Sequence, residues 1–359
     1  MTVDELLRKM VEIGASDLHI KVGNRPGFRV DGKINTFEAM PVLRPEDTRA
    51  LVYSVLDAAQ QAEFEKTGDL DFGHSVPGLS RFRVNVLKQR GSVGMVMRQI
   101  PISIPNIDEL GLPAVCKVLA LKPRGMVLVT GPTGSGKSTT LAAMVDYVNE
   151  NRNDHIITME DPIEFVHKDK KSFINQREVG RDTVSFSEGL RRALRQDPDV
   201  ILVGELRDLE TIALAVTAAE TGHLVFATLH TTSAVKTIDR MIDVFPGSQQ
   251  SQIRLQLSVA LQGVISQILL PKIGAGRVAA YEIMIATDGV RGAIREGKTP
   301  QIQNFLQTSF KEGMITLEAS LANLVKARKI TFEEAMAKAN SPNTLEMLVK
   351  GGGPGGGKT

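Results

Sequence analysis

Hydrophobic and polar residues alternate differently in the first hundred residues than in the rest of the chain. After Thr2, the helical spacing of Leu6, Leu7 and Met10 predicts an opening helix. Short apolar runs between turn residues then predict an antiparallel sheet with a few helices. The predicted strands cover residues 18–22, 27–30, 80–86 and 94–98.

From about residue 111, predicted strands alternate with longer helices. This alternation indicates parallel strands with crossover helices, hence a doubly wound sheet that binds ligands at the carboxyl ends of its strands. After Pro246 the pattern predicts a mainly helical part with one further strand near 278–283. The other strands are predicted at 126–130, 155–159, 200–203 and 224–229, and the helices at 137–150, 187–196, 208–221, 249–270, 288–297, 316–328 and 331–339.

These patterns predict an α/β chain with two domains. The first is an α+β domain over residues 1–100, and prolines at 101 and 105 indicate a linker over 101–110, because proline cannot donate a ladder hydrogen bond. The doubly wound domain follows over 111–350. A glycine-rich tail over 351–359 has no side chains to bury and is predicted to be flexible.

Composition and charge are those of an ordinary globular protein, with 359 residues, 42% hydrophobic and 23% charged residues, and a net charge of +2. No run approaches the roughly 18 apolar residues that span a membrane. The single Cys116 excludes an internal disulfide and a zinc site of several cysteines, and it suits a reducing cytoplasm. With no Trp, three Tyr and a nearly neutral charge, nucleic acid is not an expected partner.

A glycine-rich loop joins the predicted strand 126–130 to the predicted helix 137–150. It reads Gly-Pro-Thr-Gly-Ser-Gly-Lys-Ser-Thr, the phosphate-binding pattern in its required strand-to-helix setting. The glycines let backbone N–H groups surround an anion, the lysine reaches the terminal phosphates, and the following serine hydroxyl binds Mg²⁺. The sequence therefore predicts ATP or GTP binding by Thr133, Gly134, Ser135, Gly136, Lys137, Ser138 and Thr139.

Acidic residues and histidines flank the other predicted strands of this domain. Phosphoryl transfer needs a metal, a carboxylate that orients water, and positive charge on the phosphate oxygens. Ser138 and Glu205 are the candidate Mg²⁺ ligands, and either Glu205 or Glu164 activates water. His223 and His230 bracket strand 224–229, where they sense the γ-phosphate, pair with these acids, or cap the strand through ordinary hydrogen bonds.

Four motifs make the chain resemble the secretion ATPase family of type II secretion and type IV pili. The phosphate loop is one, and the family's aspartate box is similar to Thr158–Glu164. Its atypical second acidic motif is similar to Ile201–Asp208, and its histidine box to Thr221–Thr231. The N-terminal Ala15-Ser16-Asp17-Leu18-His19-Ile20 also resembles the family's opening, so the likeness covers nearly the whole chain.

The resemblance implies a PAS-like N-terminal domain joined to a RecA-like ATPase domain. It also implies a homo-hexameric ring that acts on a pilus platform protein at the cytoplasmic face of the inner membrane, which the chain reaches only through partners. Active sites in such rings are shared between subunits, so arginines of an N-terminal domain reach the nucleotide of a neighbour. Arg83 and Arg98 match the family's two trans arginines, and Arg81 lies on the same strand face as Arg83.

Residues 291–296 read Arg-Gly-Ala-Ile-Arg-Glu, which partly matches a C-terminal motif of the family's pilus-retraction branch. The match predicts a retraction motor for twitching motility, with Arg291 and Arg295 on one helix face beside Ile294. Pilus-assembly and type II secretion ATPases are the alternatives, but the related assembly members carry a four-cysteine zinc insertion that this chain cannot build. A RecA-like nucleic-acid motor is a further alternative, which lacks support from charge and aromatic content.

Overall fold

A computed structural model of the chain describes residues 1–100 and 103–351. Its contacts divide it into two units, the first comprising Met1–Ser103 with Pro162–Val166 and the second Ile104–Asp161 with His167–Thr359. Residues 101–102 of the predicted linker and 352–359 of the predicted tail lie outside the described residues. Farther along the predicted linker, Ile107 is buried in the core of the second unit.

The first unit contains a six-stranded antiparallel sheet in the order β3-β2-β1-β6-β5-β4, which confirms the predicted antiparallel sheet. Its strands β3 and β4 were not predicted, because β3 is exposed throughout and β4 carries polar residues among its few buried ones. The PAS-like character of this unit stays a prediction. The strands are β1 Asp17–Ile20, β2 Gly27–Val30, β3 Lys33–Thr36, β4 Asp69–Val76, β5 Ser80–Gln89 and β6 Ser92–Ile100, and the helices are α1 Val3–Glu12, α2 Pro45–Tyr53 and α3 Ala58–Thr67.

Helix α1 starts and packs as its sequence predicts. Thr2 and Glu5 form a reciprocal capping box, in which the Glu5 N–H donates to Thr2 Oγ1 at 3.3 Å and the Thr2 N–H donates to Glu5 Oε2 at 2.7 Å. Leu6, Leu7 and Met10 are buried in the core of the first unit. The same core contains Leu18 and Ile20 of β1, whereas Asp17 and His19 alternate with them and point to the opposite face of the sheet.

The second unit contains a seven-stranded sheet in the order β13-β12-β7-β11-β10-β8-β9, followed by a mainly helical C-terminal part. No helix among the described residues is long and apolar enough to cross a bilayer. The strands are β7 Gly125–Thr130, β8 His155–Glu160, β9 Phe173–Glu178, β10 Val200–Val203, β11 Leu224–Leu229, β12 Leu261–Pro271 and β13 Arg277–Ile285. The helices are α4 Val115–Ala120, α5 Lys137–Asn151, α6 Phe186–Ala193, α7 Leu209–Glu220, α8 Ala234–Asp243, α9 Gly247–Ala260, α10 Asp288–Arg295, α11 Ile302–Thr308, α12 Leu317–Lys326, α13 Phe332–Met336 and α14 Pro342–Lys350, with 3-10 turns at Thr299–Gln301 and Phe310–Glu312.

Strand β7 lies inside this sheet with helices packed on both of its faces. Met126 and Leu128 belong to one hydrophobic core, and Val127 and Val129 belong to another. Because successive side chains of a strand point to opposite faces, this division shows that both faces of β7 are buried. The pairs β7 with β11, β11 with β10, β10 with β8 and β8 with β9 are all parallel. This confirms the predicted doubly wound sheet and its RecA-like class.

The predicted helix over residues 249–270 is wrong in its second half. Helix α9 ends at Ala260, and residues 261–271 form β12, which pairs parallel with β7 and antiparallel with β13. Most of β12 is buried on both faces, so its apolar residues lack the alternation that marks a half-exposed strand. At Gly263 a side chain would lie 3.0 Å from the Met284 carbonyl oxygen, so this strand also needs a glycine for its close approach to β13.

Candidate functional site

The loop over residues 131–139 leaves β7 at its carboxyl end and enters α5 directly. Gly131, Gly134 and Gly136 adopt φ values of 144°, 77° and 90°, which residues with side chains rarely adopt. A Cβ on Gly131 would lie 2.2 Å from the Gln267 carbonyl oxygen and 2.6 Å from Ser135 Oγ. The loop is therefore a tight backbone cradle that only glycine allows at these positions.

The start of α5 suits a polyphosphate. No side chain caps this helix, so the N–H groups of its first turn are available to an anion at its positive end. Lys137 Nζ donates to the carbonyl oxygens of Gly131 at 2.9 Å and Pro132 at 3.1 Å, which holds its charge over the loop. Ser135 Oγ is buried and has no hydrogen-bond partner among the described residues. The loop therefore offers donors and a positive charge to one concave surface.

The other predicted loop residues lie in the same segment. Thr133 and Gly134 are exposed at its tip, and Ser138 and Thr139 are half-buried in the first turn of α5. The Ser138 hydroxyl is a hard oxygen ligand of the kind that Mg²⁺ prefers. The described residues contain no group of three or more His, Cys, Asp or Glu side chains that is placed to hold a metal. A metal at this edge would therefore depend on Ser138, phosphate oxygens and water for most of its ligands.

Glu205 and His230 meet at the carboxyl edge of the sheet. Glu205 follows β10, His230 follows β11, and His230 Nε2 lies 3.1 Å from Glu205 Oε1. In β11, Leu229 pairs with Thr130, the last residue of β7, so His230 and the phosphate loop leave neighbouring strands at matching positions. The structure thus brings together Lys137, Glu205 and His230 at one edge, as their positions after parallel strands predict.

Arg207 is a member of this site that the sequence analysis did not select. Its Nη2 lies 2.7 Å from Glu205 Oε2, so both oxygens of the Glu205 carboxylate face a positively charged or hydrogen-bonding partner. Burial raises the pKa of Glu205, but the Arg207 guanidinium and His230 outweigh burial and hold that pKa below its ordinary value. The only signal for Arg207 in the sequence was its position two residues after Glu205 in the same motif.

The aspartate box divides between the two units. Glu160 ends β8, and its Oε1 accepts hydrogen bonds from Thr158 Oγ1 at 2.7 Å and Gln176 Nε2 at 3.0 Å. Asp161 is exposed and raises the pKa of the Arg207 guanidinium, after the larger effect of Glu205. Glu164 is exposed in the short segment grouped with the first unit. Of the two candidate bases, Glu205 is therefore the one that the fold of the second unit places beside His230.

His223 lies at the other end of β11 from His230. It precedes the amino end of this strand, where its carbonyl oxygen accepts the Gly125 N–H at 3.0 Å and its Nδ1 lies 2.9 Å from the Ala218 carbonyl oxygen. The two histidines therefore do not meet at one edge. Within this chain, His223 is placed on the edge opposite the phosphate loop, in contacts that fit the capping alternative.

Three arginines of the first unit lie on one row across its sheet. Arg29 pairs with Asp17, Asp17 with Arg98, and Arg98 with Arg83 in adjacent strands. The buried Asp17 carboxylate accepts a hydrogen bond from Arg98 Nε at 2.7 Å, and Arg83 Nε lies 3.5 Å from Asp71 Oδ1. Both arginines are thus bound through Nε, which leaves their terminal nitrogens at the exposed ends of the side chains.

Arg81 is held differently, because its Nη1 donates to Ser75 Oγ at 3.0 Å. One nitrogen of its terminal fork is thus bound within the unit. Asp17 and Asp71 were not selected from the sequence as functional residues, although Asp17 belongs to the N-terminal segment that carries the family resemblance. The structure therefore presents Arg83 and Arg98 as exposed, anchored cations and presents Arg81 as a partly occupied one.

Similarity to known proteins extends over most of the chain. Residues 1–275 match the family described as Type II/IV secretion system protein. The chain belongs to this family. It is 54% identical to the type IV pilus retraction ATPase PilT of Pseudomonas aeruginosa over 345 residues, which cover 96% of this chain and 100% of that protein. It is 49% identical to a twitching motility protein of Neisseria gonorrhoeae, over 89% of this chain and 86% of that protein.

A solved structure supports the same relationship. The crystal structure of a pilus retraction motor PilT with bound ADP superposes with a TM-score of 0.90 at 50% sequence identity, covering 96% of this chain and 99% of that one. The fold of both units therefore matches that of a pilus ATPase. With this family membership and the phosphate loop, the chain is an ATPase.

The contact between Arg207 and Glu205 makes a testable prediction about pH. Arg207→Gln removes the larger of the two influences that lower the pKa of Glu205 and leaves His230 to oppose burial, so the pKa rises. Because a general base must be deprotonated, the acidic limb of kcat/KM against pH should move to higher pH. Arg192→Gln is the control, since Arg192 pairs with Glu188 on α6. An acidic limb that stays in place in Arg207→Gln would show that Glu205 does not set it.

Proposed function

We propose that the chain is a hexameric, ATP-hydrolysing motor that drives type IV pilus retraction and twitching motility through nucleotide-dependent movements of its domains. The observation that carries this proposal is the joint placement of the phosphate loop, Glu205 and His230 at one edge of a RecA-like sheet. The full-length likeness to a retraction ATPase supports the direction of the motor. Its domains are proposed at 1–100 and 111–350, as the sequence predicts.

ATP and Mg²⁺ are the proposed ligands of the loop. The glycine cradle, the uncapped start of α5 and the Lys137 amine fit the triphosphate. The Ser138 hydroxyl and Glu205 would hold Mg²⁺, with Ser138 the better placed because Glu205 already contacts Arg207 and His230. The metal, when bound, would neutralise charge on the phosphate oxygens.

Glu205 is the proposed base for the attacking water. Its pKa lies below the ordinary value, so the carboxylate is ionised at neutral pH and accepts a hydrogen bond from water. Each carboxylate oxygen accepts more than one hydrogen bond, so a water can join Oε2 beside Arg207. His230 fixes the other oxygen, and Lys137 stabilises negative charge on the phosphates. Glu164 remains the alternative base.

Arg83 and Arg98 are the proposed arginines that reach the nucleotide of a neighbouring subunit in the ring, with Arg81 in a supporting role. His223 stays a prediction from the sequence, because within its own chain it lies at the edge opposite the phosphate loop. The anchoring of Arg98 by Asp17 supports this proposal, because it fixes an exposed guanidinium in one orientation. Burial raises the pKa of Asp17, but the Ser16 hydroxyl and Arg98 lower it overall. The carboxylate therefore keeps its charge, and its hold on Arg98, at neutral pH.

The retraction motif on α10 has a buried half and an exposed half. Arg291 Nη1 donates to the carbonyl oxygens of Ser258 and Val259, both at 2.7 Å, and thereby binds the last turn of α9. Ile294 is buried, whereas Arg295 and Glu296 are exposed. Within the predicted stripe, Arg291 is half-buried against α9 and Arg295 is exposed. Arg295 and Glu296 remain as the surface proposed for coupling to a pilus platform protein.

The proposed location is the cytoplasm, at the inner face of the inner membrane, with membrane association through the platform protein. This location follows from the family resemblance and from the reducing compartment that a single buried Cys116 suits. No nucleic-acid partner is proposed. If the retraction test fails, a role in pilus assembly or type II secretion is the alternative function.

The coupling role of α10 is tested by removing its exposed charges. Arg295→Ala with Glu296→Ala should abolish pilus retraction and twitching, while ATP binding and ring formation measured by native mass stay unchanged, because neither side chain is buried. The control is Glu346→Ala with Lys350→Ala, which likewise removes one exposed acidic and one exposed basic side chain, here from α14. Normal retraction in cells with the α10 variant would exclude this surface from the mechanism and favour the assembly alternative.

Sharing of the active site between subunits is tested by mixing variants. Arg98→Ala should lower kcat on the order of 1000-fold, as loss of an arginine finger does. Rings that mix Arg98→Ala subunits with Glu205→Gln subunits should regain activity, because some interfaces then combine an intact arginine with an intact glutamate. Arg8→Ala, which removes an exposed arginine of α1, is the control. Mixed rings that stay inactive would place Arg98 outside its neighbour's site.

A further inference from the structure

Gln267 is a buried polar residue of β12 that lies directly behind the phosphate loop. Its Nε2 donates to the Ser135 carbonyl oxygen at 2.7 Å, and its Oε1 accepts from Thr140 Oγ1 at 2.9 Å. One side chain therefore joins the loop to the first turn of α5. Both hydrogen bonds are buried, so the loss of either would leave an unpaired polar atom in the protein interior.

We propose that Gln267 is a positioning residue for the ATPase reaction, because it sets the orientation of the peptide bond between Ser135 and Gly136 in the phosphate cradle. In a trans peptide, the carbonyl oxygen of one residue and the N–H of the next point in opposite directions. With the Ser135 oxygen fixed on Gln267, the Gly136 N–H points away from β12. The Gly136 N–H directly precedes the first-turn N–H groups of α5, which no side chain caps, so it adds to the donors that this segment offers an anion.

The loop glycines supply a second, independent observation for the same role. Gly131 has no room for a Cβ because the Gln267 carbonyl oxygen would lie 2.2 Å from it. At Gly136 a Cβ would lie 3.1 Å from Gln267 Nε2, which is closer than most such contacts. Two glycines of the phosphate loop are therefore packed against the backbone and the side chain of this one residue. The tight form of the cradle depends on the close approach of β12.

The assignment of the amide is fixed by its partners. The Ser135 carbonyl only accepts, so the nitrogen of Gln267 must face it, and the oxygen must face the Thr140 hydroxyl. An oxygen placed opposite the Ser135 carbonyl would repel it. The role of Gln267 therefore requires a hydrogen-bond donor at one position and an acceptor at the other.

Gln267→Met tests this role, because methionine has a similar size and shape but neither hydrogen bond. The affinity for ADP, measured by calorimetry, should fall about 10-fold or more, the effect expected from one poorly aimed hydrogen bond to a charged group. KM for ATP should rise by a similar factor and kcat should change little, because the cradle binds the substrate and the transition state alike. The melting temperature without nucleotide reports whether the fold is retained.

Gln262→Met is the matched control. Gln262 lies on the same strand and donates from its Nε2 to the Arg124 carbonyl oxygen at 3.1 Å, at the end of β12 far from the loop. The Gln262→Met variant should have the ADP affinity and the KM for ATP of the wild type. If Gln267→Met retains wild-type affinity for ADP and a wild-type KM, the proposed role is wrong.

Gln267→Glu should make ADP affinity depend on pH, which a purely structural role of Gln267 would not produce. This variant tests the proposed role even if Gln267→Met does not fold. At pH 8 the new carboxylate lacks a donor for the Ser135 carbonyl, so ADP affinity should be low. A buried carboxyl has a raised pKa, so it gains a proton as the pH falls and can donate again. ADP affinity should then recover toward pH 6 in this variant and not in Gln267→Met. A pH-independent affinity close to that of the wild type would overturn the proposal.

Discussion

The nucleotide site depends on one constraint, which is that β7 is buried on both faces and still has to lead directly into a helix. All six residues of β7 are buried, and the chain leaves the sheet at the carboxyl end of this strand. There the loop turns tightly against β12, where Gly131 has space for no side chain. The loop leads directly into α5, whose first-turn N–H groups have no side-chain cap and are the donors that an anion needs.

The charged side chains at this edge have partners within the chain. Arg207 and His230 hold the two oxygens of Glu205, and Lys137 lies over the loop on carbonyl oxygens. These contacts keep Glu205 ionised despite its partial burial. The same principle recurs in the first unit, where buried Asp17 keeps its charge and fixes exposed Arg98. Glu205 and Arg98 are thus each oriented by a partner of opposite charge.

Much of this arrangement follows from the sequence, because local chemistry determines it. The alternation of strands and helices predicted the doubly wound sheet, and the loop glycines predicted the phosphate cradle. Contacts between distant segments were not predictable: the pairing of Arg207 with Glu205, the approach of Gln267 to the loop, and the strand that begins at Leu261 all depend on tertiary packing. The contacts of Arg291 with the last turn of α9 were not predictable either, because a helical spacing does not show which neighbouring helix a side chain meets.

The central claim is that nucleotide binding and water activation are performed by different residues at one edge of the sheet. Parallel measurements of ATP binding and hydrolysis for Lys137→Ala and Glu205→Gln test it most directly. Lys137→Ala should lose nucleotide affinity and turnover together while remaining folded, because its amine is placed over the phosphate loop. Glu205→Gln should bind ATP normally and lose at least about 100-fold in kcat. Normal turnover in either variant would contradict this account of the site.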